Sequence, residues 1–196
     1  MDKFITIAIT PERTVTDEAD IVAALLDGGI DFVHLRHPNI MEVEMRRLIE
    51  AIPSRLHGRL RLHSHFALVD AYSLAGAHLN SRNPSFYGTQ GTLSRSCHSI
   101  KEVADAGKYE YVTLSPVFDS ISKQGYNAAI SFADFARMRP PTKVIALGGV
   151  TPDRFAMLHD AGFAGAAMLG YIWEAQSASE LAEKLETIKA KSCFNS

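Results

Sequence analysis

Short apolar runs alternate with amphipathic stretches along the chain. Residues 4–9, 31–36, 59–63, 77–79, 92–94, 109–114, 143–147 and 165–169 are the strand candidates, several of them rich in Val, Ile, Phe or Tyr. The fourth and fifth are short. The segments between them read as helices with marked starts. Ser99 to Glu102, Ser131 to Asp134 and Ser177 to Glu180 follow the capping-box pattern. Thr151-Pro152-Asp153 places a cap, a first-turn proline and an early acid in order. Apolar residues then recur at helical spacing, as in Ile100, Val103 and Ala104 or Leu181, Leu185 and Ile188. Gly28-Gly29, Gly76, Gly107 and Gly162 are read as helix-closing glycines.

Eight strands alternating with seven or eight helices predict a compact, single-domain parallel (β/α)8 barrel of the TIM type over residues 1–190, with a polar tail at 191–196. The doubly wound sheet is the competing architecture, but it normally uses fewer strands. At 196 residues the barrel is near its minimum length. The fourth helix must be short, because 81–91 is rich in polar and turn residues.

Composition narrows the function classes. Apolar residues make up 46% and charged residues 21%, which argues against disorder. A formal charge of −2 gives no basic surplus for nucleic acid. No apolar run approaches the roughly 20 residues of a membrane span. The opening Met1-Asp2-Lys3-Phe4 leads straight into a run too short for a signal segment, so a cytoplasmic location is expected. Two cysteines exclude a disulfide framework. The unusual number is eight histidines.

Barrel chemistry sits at the C-terminal strand ends, and six of the eight histidines fall there: His34 and His37, His63 and His65, His78, and His98. Gly148-Gly149 before the Thr151-Pro152 helix start lets the backbone approach an anion, with Gly170 as a second contact. Ser120, Ser122 and Lys123 can close such a phosphate site, although a Gly-Gly pair also serves a plain tight turn. His98 stands just before the Ser99 cap, where the positive helix end disfavours the imidazolium and leaves a neutral general base or acid. A packed or solvent-facing histidine is the alternative. Cys97 cannot partner His98 as a nucleophile, since adjacent strand residues face opposite ways. His63-x-His65 resembles a metal pair, but no Asp or Glu among the strand ends completes a hydrolytic site, so no metal is expected. Arg36 is a second anion contact or a salt-bridge partner.

These residues carry a resemblance. Phe32-Val33-His34-Leu35-Arg36 after Gly28-Gly29, Ser94-Arg95-Ser96-Cys97-His98-Ser99, Tyr111 to Phe118, Ser122-Lys123, Ala146 to Pro152 and Ala161 to Gly165 are similar, in order and spacing, to the thiamin phosphate synthase/TenI superfamily of barrels. The resemblance implies a role in thiamin biosynthesis and a phosphorylated thiazole as ligand, with a homodimer common in such barrels. Synthases join a pyrimidine diphosphate to thiazole phosphate with magnesium; TenI-type proteins are thiazole tautomerases. The synthase pattern has Gln at the His34 position, Asn-Asp at His63-Ser64 and Asp at Asn83, so both metal-holding acids are absent here. Pro38 also replaces a basic residue of the pyrophosphate site. Ser96-x-His98-Ser99 matches the stretch bearing the TenI catalytic histidine, which implies His98 as the proton-transfer group. The resemblance assigns Ser120, Ser122, Gly148, Gly149, Leu169 and Gly170 to the thiazole phosphate site, and His34, Arg36, His63, Ser96 and Lys123 complete the expected substrate side. The expectation is a tautomerase needing no cofactor. A synthase, with Mg²⁺, and a non-catalytic thiazole phosphate-binding protein are the alternatives.

Overall fold

The computed structural model of the protein describes residues 3–13, 15–118 and 131–194. Its eight strands are β1 (Ile5–Ile9), β2 (Phe32–Leu35), β3 (Leu60–Leu62), β4 (Gly76–Leu79), β5 (Thr92–Cys97), β6 (Tyr111–Leu114), β7 (Lys143–Ala146) and β8 (Gly165–Met168). Each pairs in parallel with the next, and β1 also pairs with β8, which closes the barrel. The expected (β/α)8 architecture is present.

Side chains alternate across this sheet, so each strand serves two compartments. Val33, Leu35, Val112, Leu114 and Ala166 face outward into the layer shared with the helices. Ile7, Ile9, Ile145 and Ala167 meet Tyr111 inside the barrel. Phe32, Leu147 and Leu169 pack against that cluster, and the other buried interior side chains are polar. His34, Arg61, His78, Ser94 and Thr113 are all buried. The barrel lumen is therefore apolar along β1, β7 and β8, and polar from β2 to β6.

Helices α1 (Glu18–Asp27), α2 (Glu42–Ala51) and α3 (Ala67–Tyr72) follow the first three strands. After β5 come α4 (Ile100–Ala104), α5 (Phe132–Met138) and α6 (Phe155–Asp160). The short α7 (Gly170–Trp173) and long α8 (Ala178–Ser192) end the chain. The short helix expected at 81–91 does not form. Asn80 and Asn83 instead pair through their backbones at 3.1 Å. The Asp70 carboxylate accepts the N–H groups of Thr89 and Gln90 at 2.9 and 3.0 Å. A helix is unnecessary because α3 supplies the acceptors from outside the segment.

β5 is longer than its pattern suggests. Arg95 and Ser96 look like loop residues, yet the ladder to β6 runs from Ser94↔Tyr111 to Cys97↔Leu114. Hydrogen bonding to neighbouring strands overrides the weak local propensity. At helix starts, Ser99, Ser131 and Ser177 accept the expected N–H from three residues on. The reciprocal half of the box is shifted by one residue. Glu102 takes the N–H of His98 at 2.9 Å, and Glu180 that of Gln176 at 2.8 Å. Thr151 makes no side-chain cap bond, and Pro152 opens a single 3-10 turn, Pro152–Arg154, before α6.

Gly29 and Gly162 close their helices with φ of 105° and 93°. Gly76 does not; it is the first residue of β4 at φ 150°, where a Cβ would fall 1.9 Å from the Thr92 carbonyl oxygen. The barrel boundary expected at residue 190 falls inside α8. Beyond that helix, Phe194 stacks on His159 at 4.1 Å and contacts Phe4 at 5.3 Å, so apolar packing holds this residue of the expected tail against the barrel.

Candidate active site

The C-terminal ends of the strands surround a cavity of about 380 Å³. Arg36 reaches it from β2, His63 and Ser64 from β3, and His78 and Asn80 from β4. Ser96 and His98 come from β5, Ser115 from the end of β6, and Leu147 and Leu169 from β7 and β8. The fold thus brings Arg36, His63, Ser96, His98 and Leu169 to one wall-to-wall space.

His98 stands at its rim with two restraints. Its backbone N–H is held by Glu102, and its Nδ1 lies 3.2 Å from the Ser115 carbonyl oxygen. A carbonyl can only accept, so this bond assigns the proton to Nδ1. In the neutral ring that bond leaves Nε2 as the atom with a lone pair, the form of imidazole that acts as a base. The Ser115 hydroxyl lies 3.4 Å from the same Nδ1.

Beneath the cavity, β2, β3 and β4 deliver three buried histidines to one point. His34 Nδ1 is 3.0 Å from His63 Nε2, and His34 Nε2 is 2.6 Å from the Tyr111 hydroxyl. His78 lies between Ser94 Oγ at 2.8 Å and Ser96 Oγ at 2.9 Å. Burial holds all three neutral. It pulls His78 down to about 3, aided by the charges of Arg61 and Arg36. It pushes His34 and His63 well below the ordinary imidazole range, with His78 as the next cause in each case. Burial also raises the Tyr111 hydroxyl, which keeps its proton.

Arg61 forms the floor. Its side chain is 1% exposed and pairs with Glu110, which is 40% exposed. It also donates to the Thr92 carbonyl at 2.9 Å and lies over the Tyr111 ring at 4.8 Å. Removing the carboxylate leaves a buried guanidinium short of its counter-charge. Glu110→Ala is expected to cost about 2 kcal/mol of unfolding free energy, a lower-range value because Glu110 is partly solvated. The check is the urea midpoint at constant slope; an unmoved midpoint would show that Thr92 and the rings suffice.

The remaining histidines are structural ties. His37 borders the cavity, but its Nε2 is 2.7 Å from Glu18 Oε1 and 3.3 Å from Thr10 Oγ1. His65 turns away at φ 51° and bonds the Ile40 carbonyl at 2.8 Å. His57 lies 3.0 Å from the carbonyls of both Ile49 and Ile52. Arg36 forms the salt bridge foreseen as its alternative, with Glu12 at 2.8 Å, while still facing the cavity. Cys97 is buried on the outer side of β5, where burial pushes its thiol to about 11, so it is no nucleophile.

A second space of about 560 Å³ opens beside the first, and the two share Leu147 and Leu169. Gly148, Gly149 and Gly170 line it, as does Glu174. Gly148 and Gly149 have φ of 94° and 62°, and a Cβ on Gly148 would come within 2.9 Å of Pro116 Cα. Only glycine permits this close approach of the β7 loop. Ser120, Ser122 and Lys123, named from the sequence as closing residues, lie outside the described residues.

Magnesium does not fit the first cavity. Among the described residues no aspartate or glutamate lines it, and the Asn80 and Asn83 amides both donate to the His63 carbonyl at 2.9 Å. Sequence reading missed Arg61, Ser94 and Tyr111. The available signal was the period-two spacing of Arg61 with His63 and of Ser94 with Ser96.

A family model described as thiamine monophosphate synthase matches residues 6–172. A thiamine-phosphate synthase of Chlorobium luteolum is 30% identical over 199 residues, covering 89% of this chain and 90% of that protein. The chain matches about half of another, from Limosilactobacillus reuteri: 24% identity over 106 residues, 52% of this chain and 49% of the relative. Among solved structures, the thiamine phosphate pyrophosphorylase of Bacteroides thetaiotaomicron superposes with a TM-score of 0.86 at 30% identity, covering 96% of this chain and 98% of its own. By the extent of the family match and by these relatives, the chain belongs to the thiamine monophosphate synthase/TenI family.

Proposed function

We propose that the protein is a thiazole tautomerase of thiamine biosynthesis, acting on a carboxylated thiazole phosphate. The observation that carries this reading is the cavity itself. It presents His98 with Nδ1 tied to Ser115 and Nε2 turned free of that bond, and among the described residues it presents no carboxylate to hold a hard cation. Tautomerisation asks for one well-placed base that removes a proton and returns it to another atom of the same molecule. The phosphate would lie against Gly148, Gly149, Leu169 and Gly170, whose backbone approaches closely. Arg36 would face the second anionic group. His34, His63 and Ser96 would fix the ring from below. A cytoplasmic homodimer is part of the same reading.

A second reading rests on the relatives, since proteins 30% identical over nearly the whole chain bear the synthase name. One incubation series separates the two. Purified protein receives the primary thiazole product, with and without pyrimidine diphosphate and magnesium, and the products are identified. The proposal expects the aromatic tautomer in every arm. Thiamin phosphate formed only with diphosphate and magnesium, without tautomerisation, would replace it by the synthase. Binding without turnover would make the protein a carrier of thiazole phosphate.

A further inference from the structure

We propose that His34, His63 and His78 form a binding site for a borderline transition-metal dication of the Zn²⁺ type on the polar floor of the barrel. This goes beyond the tautomerase reading, which routes no step through a metal. Each histidine offers one ring nitrogen, and these atoms lie within 4.8 Å of one another. All three side chains are buried, His34 on β2, His78 on β4 and His63 just past β3 with its N–H 3.3 Å from the Leu35 carbonyl, so the backbone holds their spacing.

His34 Nδ1 and His63 Nε2 are 3.0 Å apart. Two imidazole nitrogens on one tetrahedral zinc stand roughly 3.3 Å apart, given Zn–N bonds of about 2.0–2.1 Å. A metal in place of the shared proton therefore asks little movement of this pair. His78 must turn more, because its ring stacks on His63 at 4.4 Å and 24°. It exchanges one of its two serine bonds for the metal and keeps the other.

The surroundings suit such a site. A metal-bound histidine orients itself by donating its second N–H to a neighbouring acceptor. The Tyr111 hydroxyl stands 2.6 Å from His34 Nε2, and the Ser94 and Ser96 hydroxyls flank His78. The Arg61 charge nearby is countered by Glu110. His63 and His78 also border the cavity, so a fourth position would open toward water or substrate. Three histidines with one open position are a known zinc coordination set. An all-nitrogen donor set selects zinc, cobalt, nickel or copper over magnesium. The carboxylate missing from the strand ends is thus no obstacle to a metal of this class.

The test uses the untagged full-length chain after dialysis against a chelator. Titration with Co²⁺ is expected to give saturable visible ligand-field absorption at one equivalent per chain, displaced by Zn²⁺. Zn²⁺, but not Mg²⁺, should raise the melting temperature. His63→Gln and His78→Gln should each abolish the absorption; His159→Gln and Cys193→Ser should keep it. A wild-type chain without saturable absorption overturns the proposal, whether or not the variants fold. So does absorption that persists in a cooperatively melting His63→Gln or His78→Gln chain, or that vanishes with Cys193→Ser.

Discussion

Replacing His98 by alanine is expected to slow thiazole tautomerisation by about 10²–10⁴-fold, the usual contribution of a positioned general base. The loss should fall on kcat. The phosphate contacts assigned to Gly148, Gly149 and Gly170 belong to the neighbouring cavity and are untouched, so KM should move little. Folding should be unaffected, because the His98 side chain is exposed and the α4 cap is made by Ser99. Steady-state rates and the melting temperature of His98→Ala check all three expectations. A wild-type rate would remove His98 from the chemistry and, with it, the main support for a tautomerase.

The metal-free protein should also be acid-labile to an extent set by its buried histidines. In the unfolded chain, each imidazole binds a proton near pH 6.5. In the folded chain, burial holds His34 and His63 well below that value and His78 at about 3. Below pH 6.5 the unfolded state therefore binds more protons, and stability falls as pH falls. Each such group removes about 1.4 kcal/mol per pH unit. For His78 the loss continues until about pH 3. Three groups together reach about 4 kcal/mol per unit, against a total stability on the order of 5–15 kcal/mol. Cooperative unfolding is expected roughly one to four units below pH 6.5 on that slope. Circular dichroism across an acid titration measures the transition. His78→Gln removes one titrating group and should flatten the slope. Equal stability at pH 7 and pH 5 would show that the histidines are protonated or solvated in the fold.

Much of this was legible in one dimension. The eight apolar runs that give the barrel strands are visible because each strand's outer face must be apolar. β5 was cut short and a helix was expected at 81–91 for one reason. Both segments take their hydrogen bonds from neighbours distant in sequence, β6 in one case and Asp70 in the other. His98 could be singled out because its cue is local, the Ser99 cap one residue away. Gly148-Gly149 could be read for the same reason, as a chemical singularity at a strand end.

The histidines show where local cues stop. Six were assigned to one face, yet His37 at the cavity edge is tied to Glu18, His65 turns away to the Ile40 carbonyl, and His63, His78 and His98 border the cavity with His34 below it. No sequence interval encodes that difference; the left-handed turn at His65 and the pairing of strands decide it. The chain by itself determined a parallel barrel and marked a histidine before a helix cap and a Gly-Gly turn at strand ends, because periodicity and caps act over a few residues. Only the lateral pairing of β2, β3 and β4 could gather ring nitrogens of His34, His63 and His78 within 4.8 Å of one another, because these strands are separated in sequence by whole helices.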